Sequence, residues 1–153
     1  MGSPERTIMN QIKTPLATIT TGGGYNYDLS GDDQVQIGGK FLPDRIPAAY
    51  IFAGETSSAL NAGRTALNSY SRTQPVTIEM WIGSNSTDPA EQHLAPLDAQ
   101  NDVMKILESD RTLNGNVDDL IINANRADEV PELPGVALVV FTVTLTYREV
   151  AGA

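Results

Sequence analysis

Apolar side chains recur at Ile8, Ile12, Leu16 and Ile19, in steps of four, four and three. That spacing is one buried stripe of a helix. Ser3-Pro4-Glu5 supplies the entry: a hydroxyl to cap free N–H groups, a proline at the first helical position, and an acid at the positive end of the dipole. Pro15 predicts that this helix ends near Thr14 or kinks there, and Thr21-Gly22-Gly23-Gly24 closes the element. The polar, Gly-rich stretch from Tyr25 to Arg45 contains one short candidate strand, Gln34 to Gly38.

The pattern then changes period. Ala48 to Ala53, between Pro47 and Gly54, is a continuous apolar run with aromatic and β-branched members, as in a buried strand. Gln74 to Ile82 alternates: Val76, Ile78, Met80 and Ile82 face one side, Thr77, Glu79 and Trp81 the other. Between these strands, Glu55 to Thr73 is rich in Ser, Asn, Thr, Ala and Gly, with Leu60, Leu67 and Tyr70 as its sizeable apolar side chains. It reads as a long polar loop, and loops of that length in a compact domain are most often functional or disordered.

Asp88-Pro89-Ala90-Glu91 is a second helix start, with Asp88 as cap and Glu91 placed for a capping box. Leu94, Leu97, Val103, Met104, Ile106 and Leu107 follow at helical spacing, and Pro96 predicts a break that leaves Leu97 to Ser109 as the firm part. Leu113 to Ile122 is ambiguous between a turn, a short strand and a helical turn, and Asn123 to Gly135 reads as a surface linker. Val136 to Glu149 is the clearest strand, apolar on both faces in its first half and on one face in its second. At ~3.3 Å per residue, Val136 to Arg148 would run about 43 Å. A 153-residue domain has a diameter near 40 Å, so this strand must bend with its sheet or reach a neighbouring subunit.

Strands in hairpin-like order with grouped helices predict a single α+β domain over residues 1–153. The expected architecture is a mainly antiparallel sheet of about four to five strands with two principal helices packed on one face.

Charge narrows the partners. Nineteen acids against ten Lys and Arg give −9 at pH 7, which disfavours affinity for a phosphate backbone. No cysteine is present, which removes disulfides, thiolate zinc sites and thiol nucleophiles. No apolar run approaches the ~20 residues of a membrane-spanning helix, and no secretory signal pattern follows Met1, so a soluble, intracellular protein is expected.

Catalytic patterns are weak. Asn26-Tyr27-Asp28-Leu29-Ser30-Gly31 imitates the start of a calcium loop, but Ile37 stands where the bidentate Glu is required, and an Asx-rich turn is the better reading. Gly22-Gly23-Gly24 lacks the dinucleotide spacing and follows a helix. His93, the single histidine, lies early in a helix with no Cys to complete a site. No nucleophile elbow or phosphate loop occurs, and nothing selects a carboxylate pair. The expectation is a non-enzyme with no cofactor and no metal.

Taken in order, four stretches resemble the tail terminator (tail completion) proteins of long-tailed bacteriophages. They are the helix Ile8 to Ile19 leading to Gly22-Gly23-Gly24-Tyr25-Asn26, and Ile46-Pro47-Ala48-Ala49-Tyr50-Ile51-Phe52-Ala53-Gly54-Glu55. The others are Val76 to Ile82 leading to Asp88-Pro89, and Val139 to Glu149. The resemblance implies a homo-hexameric ring on the head-proximal end of the tail tube, in the virion and, during assembly, in the host cytoplasm. Such a ring stops tube growth and meets head-completion or neck proteins, and DNA passes its channel without specific binding. On this reading assembly contacts are placed at Arg64, Tyr70 and Arg72, whose cations suit acidic patches of a neighbour, and at Trp81, on the polar face of its strand. Trp81 is expected under a helix or in an interface, and Arg148 is a further contact or a solvated strand end. A head–tail connector or stopper is the alternative within phage necks, and a monomeric small-ligand module with the 55–73 loop as lid is the alternative outside them.

Overall fold

A computed structural model describes residues 3–39, 43, 45–60, 69–83, 88–129 and 135–150. Helix α1, Pro4–Leu16, begins as the sequence predicts: the Ser3 hydroxyl accepts from the Arg6 amide at 3.3 Å, and Ile8, Met9, Ile12 and Leu16 are buried. It continues past Thr14 because Pro15 is its penultimate residue, where the missing N–H costs a single bond in the last turn. A 3₁₀ turn at Thr21–Gly23 then ends on Gly24, whose φ of 93° needs a residue without Cβ.

Six strands form one sheet: β1 (Val35–Ile37), β2 (Ala48–Ala53), β3 (Ser57–Leu60), β4 (Ser69–Gly83), β5 (Asp119–Glu129) and β6 (Val136–Val150). Their order is β1-β2-β4-β6-β5, with β3 also paired to β4, and every pairing is antiparallel except β1 with β2. Helix α2, Pro89–Glu108, packs with α1 on one face. The α+β expectation stands, with six strands where four to five were expected.

The extra strand lies where the polar loop was expected. Ser57–Leu60 pairs with Thr73–Tyr70, and β4 begins at Ser69 rather than Gln74; residues 61–68 lie outside the described residues. Ladder hydrogen bonds hold these residues without an apolar face, so hydrophobic alternation could not reveal them. The linker expectation fails similarly, since β5 runs on to Glu129 against β6 as a polar edge strand.

β4 and β6 pair along all fifteen residues of each, about 50 Å of strand. Pro75, inside β4, survives there because of where its missing donor points. A residue's N–H and C=O lie on the same side of an antiparallel strand, and the Pro75 carbonyl accepts from the Gly54 amide at 2.8 Å. The absent N–H therefore faces the β2–β3 side, where Gly54 to Thr56 interrupt the neighbouring strand, and the β6 side keeps its ladder. A Cβ on Gly54 would stand 2.7 Å from Pro75 Cγ. Gly54→Ala is accordingly expected to cost about 1–3 kcal/mol through overpacking, read as a lower urea midpoint at unchanged slope; an unchanged midpoint would mean the junction yields freely.

The main core lies between the helices and one sheet face. It contains Ala49 and Ile51 of β2, Val76 to Ile82 at alternate positions of β4, and Val139, Phe141, Val143, Leu145 and Tyr147 of β6. A smaller cluster occupies the opposite face: Ala48, Tyr50 and Trp81, flanked by Phe52, Val136 and Leu138.

α2 crosses Pro96 unbroken, because the fixed φ of proline is helical and the loss is one intrahelical bond. Its first half meets the core through Ala95, while Leu94 is 46% and Leu97 55% exposed, against the sequence expectation. The second half carries Ala99, Asp102, Val103 and Leu107 inward. Asp102, fully buried, clasps the segment after the glycines: its carboxylate accepts from the Asn26 and Tyr27 amides and from Asn26 Nδ2, at 2.9–3.0 Å. Lys105 adds a bond to the Gly24 carbonyl and lies 4.8 Å from the Tyr25 ring centroid.

The Tyr27 hydroxyl donates to the Ala95 carbonyl at 3.2 Å. Burial first, and the Asp98 and Asp102 carboxylates second, push it up to about 12. An unfolded tyrosine titrates near pH 10, so its contribution to stability is complete below about pH 10 and is lost as pH rises toward 12. Tyr27→Phe should make the urea midpoint fall less between about pH 9 and pH 11 than in the wild type; equal falls would exclude this origin.

The ambiguous stretch after α2 resolves into a turn and then β5. Leu113, Asn114 and Gly115 have φ values of 46°, 58° and 82°, and Asp110 holds the turn by accepting from the Asn114 amide and the Thr112 hydroxyl.

Candidate assembly surface

At the lower end of the sheet, β3, the start of β4 and the end of β6 form a three-stranded polar extension. The first core residue of β4 is Val76, yet its ladder to β6 begins at Ser69. Tyr70 and Arg72 lie on the helix-side face of this extension, two residues apart on one strand, with the Arg72 guanidinium carbon 5.9 Å from the Tyr70 ring centroid. In the register, Arg72 faces Tyr147, whose hydroxyl donates to Glu5 Oε1 at 2.8 Å. The Glu5 carboxyl is held below its usual range first by a backbone hydrogen bond at the helix N-terminus, then by Tyr147, with Arg72 adding a smaller attraction.

The residues singled out from sequence do not form one cluster. Tyr70 and Arg72 do come together. Arg148 is exposed on the opposite face of the same end, where it pairs in register with Ser71. Trp81 stands ten residues up β4 from Ser71, about 33 Å away along the strand. It is 6% exposed, because Ala48 and Tyr50 of its own chain pack on it. Its Nε1 is buried without a hydrogen-bond acceptor among the described residues. Arg64 lies outside the described residues.

Sequence reasoning missed Glu5, Gln74 and Tyr147. Gln74 is fully buried, and neither its Nε2 nor its Oε1 has a hydrogen-bond partner among the described residues. The one available signal was its position, because Gln74 continues the inward-facing series of Val76, Ile78 and Met80. Glu5 and Tyr147 are 142 residues apart and meet through the fold alone.

The remaining chemical candidates resolve locally. Asp28 accepts from the Ser30 amide and hydroxyl at 2.9 and 2.7 Å, an Asx turn. His93 is exposed on α2. Among the described residues no group of three or more His, Asp or Glu side chains is arranged to hold a metal ion, and no helix is long and apolar enough to cross a membrane. A groove of about 140 Å³ between α1 and the end of α2 is lined by Gln11, Pro15, Ile106, Leu107, Ser109, Asp110 and Leu113. No family model and no curated protein matches the chain.

Proposed function

We propose that this chain is a structural subunit of a long-tailed phage. In this reading it forms a ring on the head-proximal end of the tail tube, ends tube polymerisation and presents a surface to neck proteins. The resemblance of the four stretches quoted above supplies the partners. The observation that supports an assembly role is the β3–β4–β6 extension. The chain orders a polar, arginine-bearing ladder in β3 and in the part of β4 below Val76, the first core residue of that strand, a surface suited to contacts outside the subunit. An acidic chain also suits a channel through which DNA passes, because a negative wall repels the backbone.

Electron microscopy of tails assembled with and without the protein tests the reading. Tubes of uniform length bearing a terminal ring are expected in its presence. Undecorated tubes of unchanged length distribution would overturn the terminator role, and light scattering that finds a monomer even with tubes present would overturn the ring.

A further inference from the structure

Gln34, Gln74 and Asp102 are the buried amide and carboxylate side chains among the described residues. Two of them show how this fold treats such a group. Gln34 accepts from the Gly31 amide at 2.7 Å and donates to the Asp28 and Pro47 carbonyls at 3.0 Å, tying the turn before β1 to the entry of β2. Asp102 receives three donors, as described above. Gln74 has the same burial, yet both of its amide atoms lack a partner among the described residues. An amide buried in this way costs free energy that contact with water returns.

Gln74 stands at the boundary of the core. Along β4 it lies between Val76, the first core residue of the strand, and Arg72. Its register partner on β6 is Leu145, with Tyr147 next along on the same face. On the other flank the neighbouring strand is interrupted, since β2 ends opposite Val76 and β3 begins opposite Thr73. The start of α1 reaches this end of the sheet: Glu5 Oε1 accepts from the Tyr147 hydroxyl at 2.8 Å, and Ile8 and Met9 are buried one turn further on. Arg72 adds an attraction for the Glu5 carboxylate.

We infer that the first two turns of α1 are a latch over this end of the sheet, closed by the Glu5–Tyr147 bond and the burial of Ile8 and Met9, and released by the hydration of Gln74. Ile12 and Leu16, both fully buried, hold the rest of the helix on the core while the latch opens. Openings of this partial kind are drawn from the parts of a fold with the least apolar burial, and the strand below Val76 is such a part. Release uncovers Gln74 and Tyr147 beside Arg72, a row of hydrogen-bonding side chains on β4 and β6 that the latched chain covers. The start of α1 is in this sense an autoinhibitory contact on the helix-side face of the polar extension. Such a latch works in a monomer as in a ring.

Native-state amide exchange of the full chain tests it. The Ile8 and Met9 amides should exchange through a partial opening whose rate barely changes in low urea, while Phe141 should follow global unfolding with its steep urea dependence. Gln74→Leu should slow exchange at Ile8 and Met9 roughly tenfold and raise the urea midpoint, because the closed chain no longer buries an unpaired amide. Gln74→Met, closer to glutamine in length, gives a second reading should leucine pack poorly. Tyr147→Phe keeps the ring and removes the hydroxyl, and it should speed the same two amides roughly tenfold. Exchange at Ile8 and Met9 with the urea dependence of Phe141 would overturn the latch, since α1 would then open only with the whole fold. Unchanged rates in both Gln74 variants would reduce the opening to the fraying of a helix end. A lower midpoint in both would mean that Gln74 is paired in solution, and either result overturns its role in release. No acceleration in Tyr147→Phe would overturn the Glu5 bond as the closing contact.

Discussion

Replacing Phe141 by Ala is expected to lower the free energy of unfolding by about 4 kcal/mol, within the range for deleting a buried aromatic side chain. Phe141 is fully buried, and its strand is held on both sides at that point, by Ile78 of β4 and Ala124 of β5. A strand pinned by two ladders cannot move to close the space its side chain leaves, so little of the cavity cost is recovered. For a chain of this length the melting temperature should fall by roughly 8–16 °C. Trp81, the single tryptophan, reports the transition from the opposite sheet face, so a common midpoint by fluorescence and circular dichroism would show one cooperative unit. A loss below about 1 kcal/mol would mean that the site collapses and that the helix-side core is not the main source of stability.

Asp102→Ala should cost about 3 kcal/mol, because it removes at once the part-buried hydrogen bonds of three donors to one charged, buried acceptor. The carboxylate receives the Asn26 and Tyr27 amides and the Asn26 side chain, and it is fully buried. The substitution also frees the segment that carries Tyr25 and Tyr27 onto α2, so amide exchange of Asn26 and Tyr27 should rise with the fall in urea midpoint. Asp102→Asn keeps one acceptor oxygen but turns its amide toward donors, and it should fall between wild type and Ala. A small effect of Asp102→Ala would show that water replaces the carboxylate in this clasp.

The parts of the fold that were legible are those in which burial writes a period into the sequence. Ile8, Ile12 and Leu16 gave α1, and Val76 to Ile82 and Val139 to Leu145 gave the centres of the two long strands. Ser3 and Asp88 marked both helix starts, each accepting an amide proton as a cap should. What escaped is held by backbone pairing or long-range polar contacts. β3 and the polar half of β5 carry no apolar repeat, and their evidence lies in strands elsewhere in the chain. Leu94 and Leu97 misled for the converse reason, keeping helical spacing on a turn of α2 that presents Ala95 to the core and leaves both leucines outside it. Trp81 was correctly placed on the outer face, but the second cluster that covers it depends on the pairing of β2 with β4. Of the candidate surface, Tyr70 and Arg72 could be read from the sequence, whereas Glu5 and Tyr147 required the fold.

The Gly54–Pro75 junction divides the long sheet into two regions with different opening costs. Above it, β4 is flanked by β2 and β6 and carries the core from Val76 to Ile82; below it, β4 is flanked by β3 and β6 with few buried apolar side chains. Fraying from the lower end meets a line at Pro75 where one ladder already lacks a donor, so it can stop there without spending the energy of the core. The chain thereby combines a rigid body with a compliant margin on continuous strands. That margin can adjust its twist while the folded domain above it stays intact.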